Sequence, residues 1–196
     1  MPKFEDIPQF TRSAGYAADI PWSDLLRSLD RYLAQGLDID PDFQRAHVWD
    51  DAKRSRYVEY VLRGGASGYD IYTNCPGWSA GDQRSDFVLV DGKQRLEAAC
   101  KFLRNELRVF GHLFDEYTDR LPLAGARFRW HVNDLATRQE VLQWYLDLNA
   151  GGVVHTPAEL DRVRRLLEIE KANPNPRAAT KERAEARRRR MEQAKR

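Results

Sequence analysis

Asp91, Gly92, Lys93, Gln94 and Arg95 occupy five consecutive positions between the apolar run Phe87 to Val90 and an apolar period formed by Leu96, Ala99, Cys100 and Leu103. The five together hold the groups that phosphate chemistry needs. Asp91 can hold a cation or accept a proton from water, and Gln94 can orient a water or hydrogen-bond a base. Lys93 and Arg95 supply positive charge. Gly92 lets the backbone turn with positive φ, and the free amides that open a following helix receive an anion with the help of the helix dipole. Read alone, the pentapeptide is more simply a strand-to-helix turn: Asp-Gly is a common turn pair, and Lys, Gln and Arg suit an exposed first helical turn.

Two further polar clusters interrupt otherwise structural patterns: Phe43-Gln44-Arg45-Ala46-His47-Val48-Trp49 and Leu148-Asn149-Ala150-Gly151-Gly152. Each sits where one element hands over to the next. Taken singly, Gln44-Arg45 is a turn after Pro41 in which Arg45 pairs an acid such as Asp42, and Asn149 to Gly152 is an ordinary helix stop. Asp91 closes the most buried strand, and in α/β sheets ligands gather at the carboxyl ends of strands. The four histidines are scattered, with no His-x-x-x-His and no Cys-x-x-Cys, so no zinc site is expected. His112 and His131 are read as structural or surface residues, and His155, which precedes a helix cap, is assigned no catalytic role.

The elements that must position these clusters follow from periodicity. Residues 1–20 show no sustained period and are read as an extended lead-in. Leu25, Leu26, Leu29, Tyr32 and Leu33 recur at helical spacing, with Ser23 as cap and Gly36 as stop. Leu37 and Ile39 alternate as in a short strand ended by Pro41. Asp50 or Asp51 caps a helix to about Leu62, closed by Gly64-Gly65. Strands are expected at Tyr69 to Tyr72, Phe87 to Val90, Leu107 to Phe110 and Arg127 to Val132, the last strictly alternating. Asn74 to Ser85 is rich in turn formers, and its Trp78 is read as an exposed contact residue. Helices follow over Ala136 to Leu148 and from the capping box of Thr156, Pro157 and Glu159 to about Lys171. Mixed elements in this order imply an α/β or α+β domain over 21–171 with a basic tail over 172–196.

Composition narrows the partners. Between Lys171 and Arg196 ten Lys/Arg stand against three Glu, a net +7, which leaves 22 basic against 27 acidic residues in 1–170, a net −5. Affinity for nucleic acid inferred from charge therefore belongs to the tail, with Arg187, Arg188, Arg189 and Arg190 at its centre, and not to the body. No apolar run approaches membrane-spanning length and the first residues have no signal-peptide character, so a cytoplasmic protein with no membrane partner is expected. Cys75 and Cys100 are too few for a disulfide framework; both are read as reduced, and Cys100 as a helix core residue.

FQRAHVWD, then VLVDGKQRLEAACKFL about forty residues later, then LNAGGVVHTPAEL, together resemble the N-terminal domain of GmrSD-type, modification-dependent restriction enzymes, part of the wider ParB/sulfiredoxin-like group. Phe43, Gln44, Arg45 and Trp49 match the family's aromatic-Gln-Arg step. Asp91, Gly92, Gln94, Arg95 and Leu96 match its Asp-Gly-Gln-Gln-Arg turn, and Asn149, Gly152 and Thr156 its Asn-x-x-Gly step. The order of the three motifs is far more specific than any one alone. The resemblance covers about residues 20–170 and implies a ParB-like mixed sheet flanked by helices, with the Asp-Gly-x-Gln-Arg turn and the Gln-Arg step lining one nucleotide pocket. Lys93 departs from the family's glutamine, and His47 from a common aromatic. Relatives that cut DNA commonly add an HNH nuclease domain; no histidine follows residue 170, so a stand-alone version is expected.

The expected function is thus a nucleotide-binding and nucleoside-triphosphate-hydrolysing domain that acts on or near DNA in a phage or restriction setting, with a nucleoside triphosphate and Mg²⁺ as cofactors. Asp91, Gln94, Arg95 and Gln44 are the expected catalytic residues; Arg45, Gly92, Lys93 and Asn149 are the expected nucleotide ligands. Two alternatives stand beside it. One is a module without turnover that binds nucleic acid or a protein partner, its tail giving sequence-independent phosphate contacts. The other is a metal-dependent DNA nuclease that fails in Asp91→Ala.

Overall fold

A computed structural model describes residues 3, 16–44, 49–78, 86–119, 121, 126–150 and 157–172. The chain divides into two compact units, residues 1–135 and 136–196. The first holds a mixed four-stranded sheet: β1 (Tyr16–Pro21), β2 (Asp70–Asn74), β3 (Val88–Asp91) and β4 (Arg127–Asn133), in the order β1-β4-β2-β3. β4 pairs antiparallel with β1 and parallel with β2, and β2 pairs antiparallel with β3. Three helices accompany the sheet: α1 (Leu25–Ala34), α2 (Asp51–Leu62) and α3 (Lys93–Leu103). This is the α+β architecture that the alternation of patterns predicts.

The alternation in β4 decides which face is core. Phe128, Trp130 and Val132 are buried together with Ile71, Leu89 and Ile20, and they share one cluster with Leu25 and Leu29 of α1, Val58 and Val61 of α2, and Leu96, Ala99 and Phe102 of α3. The opposite face carries Arg127, Arg129 and His131 of β4, which the register places beside Asp19 of β1 and Asp70 and Tyr72 of β2, with Asp91 of β3 opposite Tyr72. Two-residue periodicity thus separates an apolar face under the helices from a polar one.

Several boundaries differ from those read in the sequence. Residues 16–21, placed in the lead-in, form the edge strand β1, whose pairing with β4 and not any internal period holds it. Ser23 does not cap α1; Asp24 precedes the helix, and its carboxylate accepts from Arg27 and Ser28 side chains. Leu37 to Ile39 makes one isolated bridge, Asp38 to Val88, and Leu107 to Phe110 is a turn closed by a bridge between Val109 and His112. Neither segment has the length to sustain a ladder. Trp78 is half-buried, packed on the core and 6.1 Å from the ring of Tyr16. By contrast, Asp50 caps α2 through Lys53 N–H at 2.7 Å, as expected.

Arg54 joins the helices. It is 8% exposed and reaches Asp51 at 2.9 Å and Glu97 of α3 at 3.2 Å. Cys75 and Cys100 are buried free thiols, and burial pushes both up to about 11. No helix among the described residues is long and apolar enough to cross a membrane.

The second unit is described for α4 (Arg138–Ala150) and α5 (Pro157–Ala172), which pack against each other. Thr137 and Glu140 form a reciprocal cap: Glu140 N–H donates to the threonine hydroxyl at 3.2 Å, and Thr137 N–H to the Glu140 carboxylate at 2.9 Å. Arg138 and Glu170 form an ion pair at 3.1 Å across the two helices. Thr156, Gly152 and the basic tail, Arg187 to Arg190 included, lie outside the described residues.

Candidate functional site

Gly92 is where the strand becomes a helix, and two separate constraints fix its identity. Its φ of +103° lies in the left-handed region, and a Cβ there would meet Ile71 Cδ1 at 2.6 Å and the Asp70 carbonyl oxygen and Ile71 Cα at 3.3 Å. The neighbouring strand passes too close for a side chain. Gly92 is also the N-cap of α3 and has no side chain with which to cap it. The first turn of α3 and the positive end of the helix dipole are thereby set beside Asp91, at the carboxyl end of β3.

Arg95 lies one helical turn on and folds back over this corner. Its Nη2 donates to Asp91 Oδ2 at 2.8 Å and to the Asp70 carbonyl at 2.9 Å. Asp91 and Arg95 each keep part of their side chain in solvent, so the pair is accessible. Tyr57 walls one side: its hydroxyl donates to Gly68 O at 2.8 Å, and burial pushes its phenol far above the ordinary value.

Lys93 turns the other way. Its side chain is 7% exposed and its ammonium pairs with Asp40 Oδ1 at 2.5 Å. Gln94 is 6% exposed, and its Oε1 accepts the Trp49 N–H at 3.2 Å. Gln44, 8% exposed, donates through Nε2 to Leu89 O at 3.0 Å and Val90 O at 2.9 Å. Those two carbonyls belong to the part of β3 whose register with β2 shifts. A side-chain amide here replaces ladder partners that the irregular pairing does not supply. The first and second sequence clusters therefore meet: Gln44 and Trp49 both bond to the segment from Leu89 to Gln94, across more than forty positions of chain.

Of the residues expected in the site, Gln44, Asp91, Gly92, Lys93, Gln94 and Arg95 come together in the first unit. Arg45 lies outside the described residues, as does His47. Asn149 is on α4 of the second unit, where its Nδ2 donates to Tyr145 O at 2.7 Å.

The structure adds residues that the sequence reading set aside. His131 Nε2 is 2.7 Å from Asp70 Oδ1, and the imidazole stacks on Tyr72 with centroids 4.6 Å apart at 15°. The Tyr72 phenol is raised by burial and then by the Asp70 and Asp91 carboxylates. Asp70 therefore serves both ends: its carbonyl holds Arg95 and its carboxylate holds His131. The available signal was parity. Asp70 and Tyr72 are two apart, as are Arg129 and His131, so each pair shares a sheet face. Asp40 gave no signal, since it reaches Lys93 across 53 positions.

Among the described residues no three His, Cys, Asp or Glu side chains assemble as a metal-holding group. Mg²⁺ that arrives with nucleotide phosphates needs only one or two protein carboxylates, a demand that Asp91 fits.

A family model described as the N-terminal domain of the GmrSD restriction endonuclease matches residues 23–134, a span that contains both the Phe43 to Trp49 cluster and the Asp91 to Arg95 turn. Comparison with curated proteins and with solved structures yields no match.

Proposed function

Because the chain belongs to the family of GmrSD restriction endonuclease N-terminal domains, we propose that its first unit binds a nucleoside triphosphate at the Asp91 to Arg95 turn and couples that binding to the restriction of DNA. The observation that carries this reading is the corner at Gly92: a left-handed glycine, a helix start, a carboxylate and a guanidinium within one turn of chain, the last two partly open to solvent. The α3 amides and Arg95 receive the terminal phosphate, and Arg45 adds charge from the adjoining segment. Mg²⁺, when bound, neutralises phosphate charge, and Asp91 is the carboxylate that holds it.

Hydrolysis is the finer part of the proposal. Asp91 or Gln94 orients a water whose oxygen bonds to the γ-phosphorus as the bond to the leaving diphosphate oxygen breaks; the water's proton passes to a phosphate oxygen or to Asp91. Lys93, buried and paired with Asp40, holds the frame of the turn. Calorimetric titration with each ribonucleoside triphosphate and Mg²⁺, alongside phosphate release, tests both levels. Binding without release retains the nucleotide site and removes turnover. No heat at millimolar nucleotide removes both. Arg95→Ala should weaken binding at least tenfold, since charge-assisted hydrogen bonds of about 1.5–3 kcal/mol are lost.

A further inference from the structure

A cavity of about 500 Å³ opens beyond the end of α3, among Phe102, Phe110, Phe114, Tyr117, Asp115 and Asp119. Phe102 is buried at its floor. Phe114 and Tyr117 stand edge-on to that ring, at 5.4 Å and 6.1 Å and close to perpendicular. Phe110 has φ +49° and Gly111 φ +83°, and they are the two central residues of the turn that the Val109 to His112 bridge closes. A two-residue turn with both central φ positive favours Asn-Gly or Asp-Gly; a bulky aromatic at its first position is strained.

That strained ring is nevertheless held firmly and left 40% exposed. Phe110 N–H donates to Glu59 Oε1 at 3.0 Å, and Ser55 Oγ donates to Arg108 O at 2.6 Å, so α2 fixes the turn from two points. The Arg63 guanidinium lies 5.1 Å over the Phe110 ring, so one face of that ring already carries a cation and the other is left for a ligand. The two carboxylates differ. Asp115 is held by Asn105 through both its backbone N–H and a carboxylate oxygen. Asp119 makes no ion pair or hydrogen bond among the described residues.

We propose that this cavity is a binding site for an organic cation, an ammonium or guanidinium carried on an alkyl or aromatic body. Aromatic rings and a carboxylate without a partner among the described residues together favour positive charge on a hydrophobic frame over an anion of the same body. The volume falls within the range of ligand pockets. The site uses neither Asp91 nor Arg95 and stands whether or not the chain binds nucleotide.

Calorimetry on the full chain with three probes tests it: benzyltrimethylammonium, an acetyl-Phe-Arg-amide dipeptide, and phenylacetate as the anionic control. Saturable binding of either cation, with phenylacetate at least about tenfold weaker, is expected. The tighter of the two cations tells whether the natural source is a free amine or a protein side chain. Phe110→Gly should weaken the cation about tenfold while urea stability holds or rises, because glycine is at ease at that φ. Asp119→Asn, on the surface, should weaken it about three- to tenfold and erase most of the preference over phenylacetate. The proposal fails if neither cation saturates at millimolar concentration, if phenylacetate binds equally, or if both variants bind as the parent chain does.

Discussion

Gly92→Ala tests whether the corner at Asp91 is built around a missing side chain. Two costs are separable. A non-glycine residue at φ +103° carries a conformational cost of about 1–2 kcal/mol. The added methyl also lands 2.6 Å from Ile71 Cδ1, and Ile71 is fully buried, so it has no open space into which to rotate. The Asp70 carbonyl and Ile71 Cα, at 3.3 Å, are backbone and move only with β2. Overpacking of this kind costs about 1–3 kcal/mol, which gives about 2–5 kcal/mol in all. Gly64 is the control: its φ is +79° with nothing within 4 Å, so Gly64→Ala should cost only the conformational part, about 1–2 kcal/mol. Urea unfolding of the two variants isolates the steric part as their difference. Ile71→Val, which deletes the struck methyl, should cost about 0.5–1.5 kcal/mol alone but little or nothing in the Gly92→Ala background. If Gly92→Ala and Gly64→Ala lose the same stability, and Ile71→Val costs the same in both backgrounds, the close approach of β2 does not explain the glycine.

Two further measurements bear on the frame beneath the site. Gln44→Ala removes the donor to the fully buried Leu89 and Val90 carbonyls and should cost about 1–3 kcal/mol in urea unfolding; Gln44→Glu should fare no better at neutral pH, since a carboxylate has no hydrogen to donate. Cys75 and Cys100 titrate at about 11 in the folded chain against 9.0 for an ordinary thiol, so their contribution to stability is complete below pH 9 and is lost as the pH rises through 11. Denaturant midpoints measured from pH 8 to pH 11 should fall across that window. At pH 8 thiol labelling of the native chain should be about a hundredfold slower than that of an unstructured cysteine, in line with the smaller thiolate fraction.

What the sequence disclosed and what it hid divide along range. The α3 start was legible because its signals are local: Asp-Gly, then an apolar period. The α2 cap was legible for the same reason. The edge strand β1 was not, since it is a strand only through β4, more than a hundred positions away. Leu107 to Phe110 misled in the opposite sense: β-forming residues occupy a turn whose backbone angles suit Asn-Gly better. Within the site, Asp91, Gln94 and Arg95 could be named from adjacency, whereas Asp40 and the Asp70 to His131 pair depend on contacts that only the fold creates.

Lys93 and Arg95 show how differently the fold places two cations that look alike in the sequence. In the sequence, Lys93 and Arg95 are cations two positions apart, and both read as sources of positive charge for a phosphate. On a helix, residues two apart point in different directions. Arg95 accordingly turns to the open corner with Asp91, while Lys93 is enclosed with its ammonium on Asp40. The energetic consequences also differ. Arg95 can exchange one partner for a phosphate at the surface, where ion pairs are individually weak. Lys93 cannot leave Asp40 without stranding a buried charge, so its positive charge acts on the corner through space, as part of a fixed pair whose net charge is near zero. A glutamine in its place would remove the charge and carry its amide nitrogen on a side chain one bond shorter. In the proposed nucleotide site this position therefore belongs to the frame, and the accessible charge in the turn is that of Arg95.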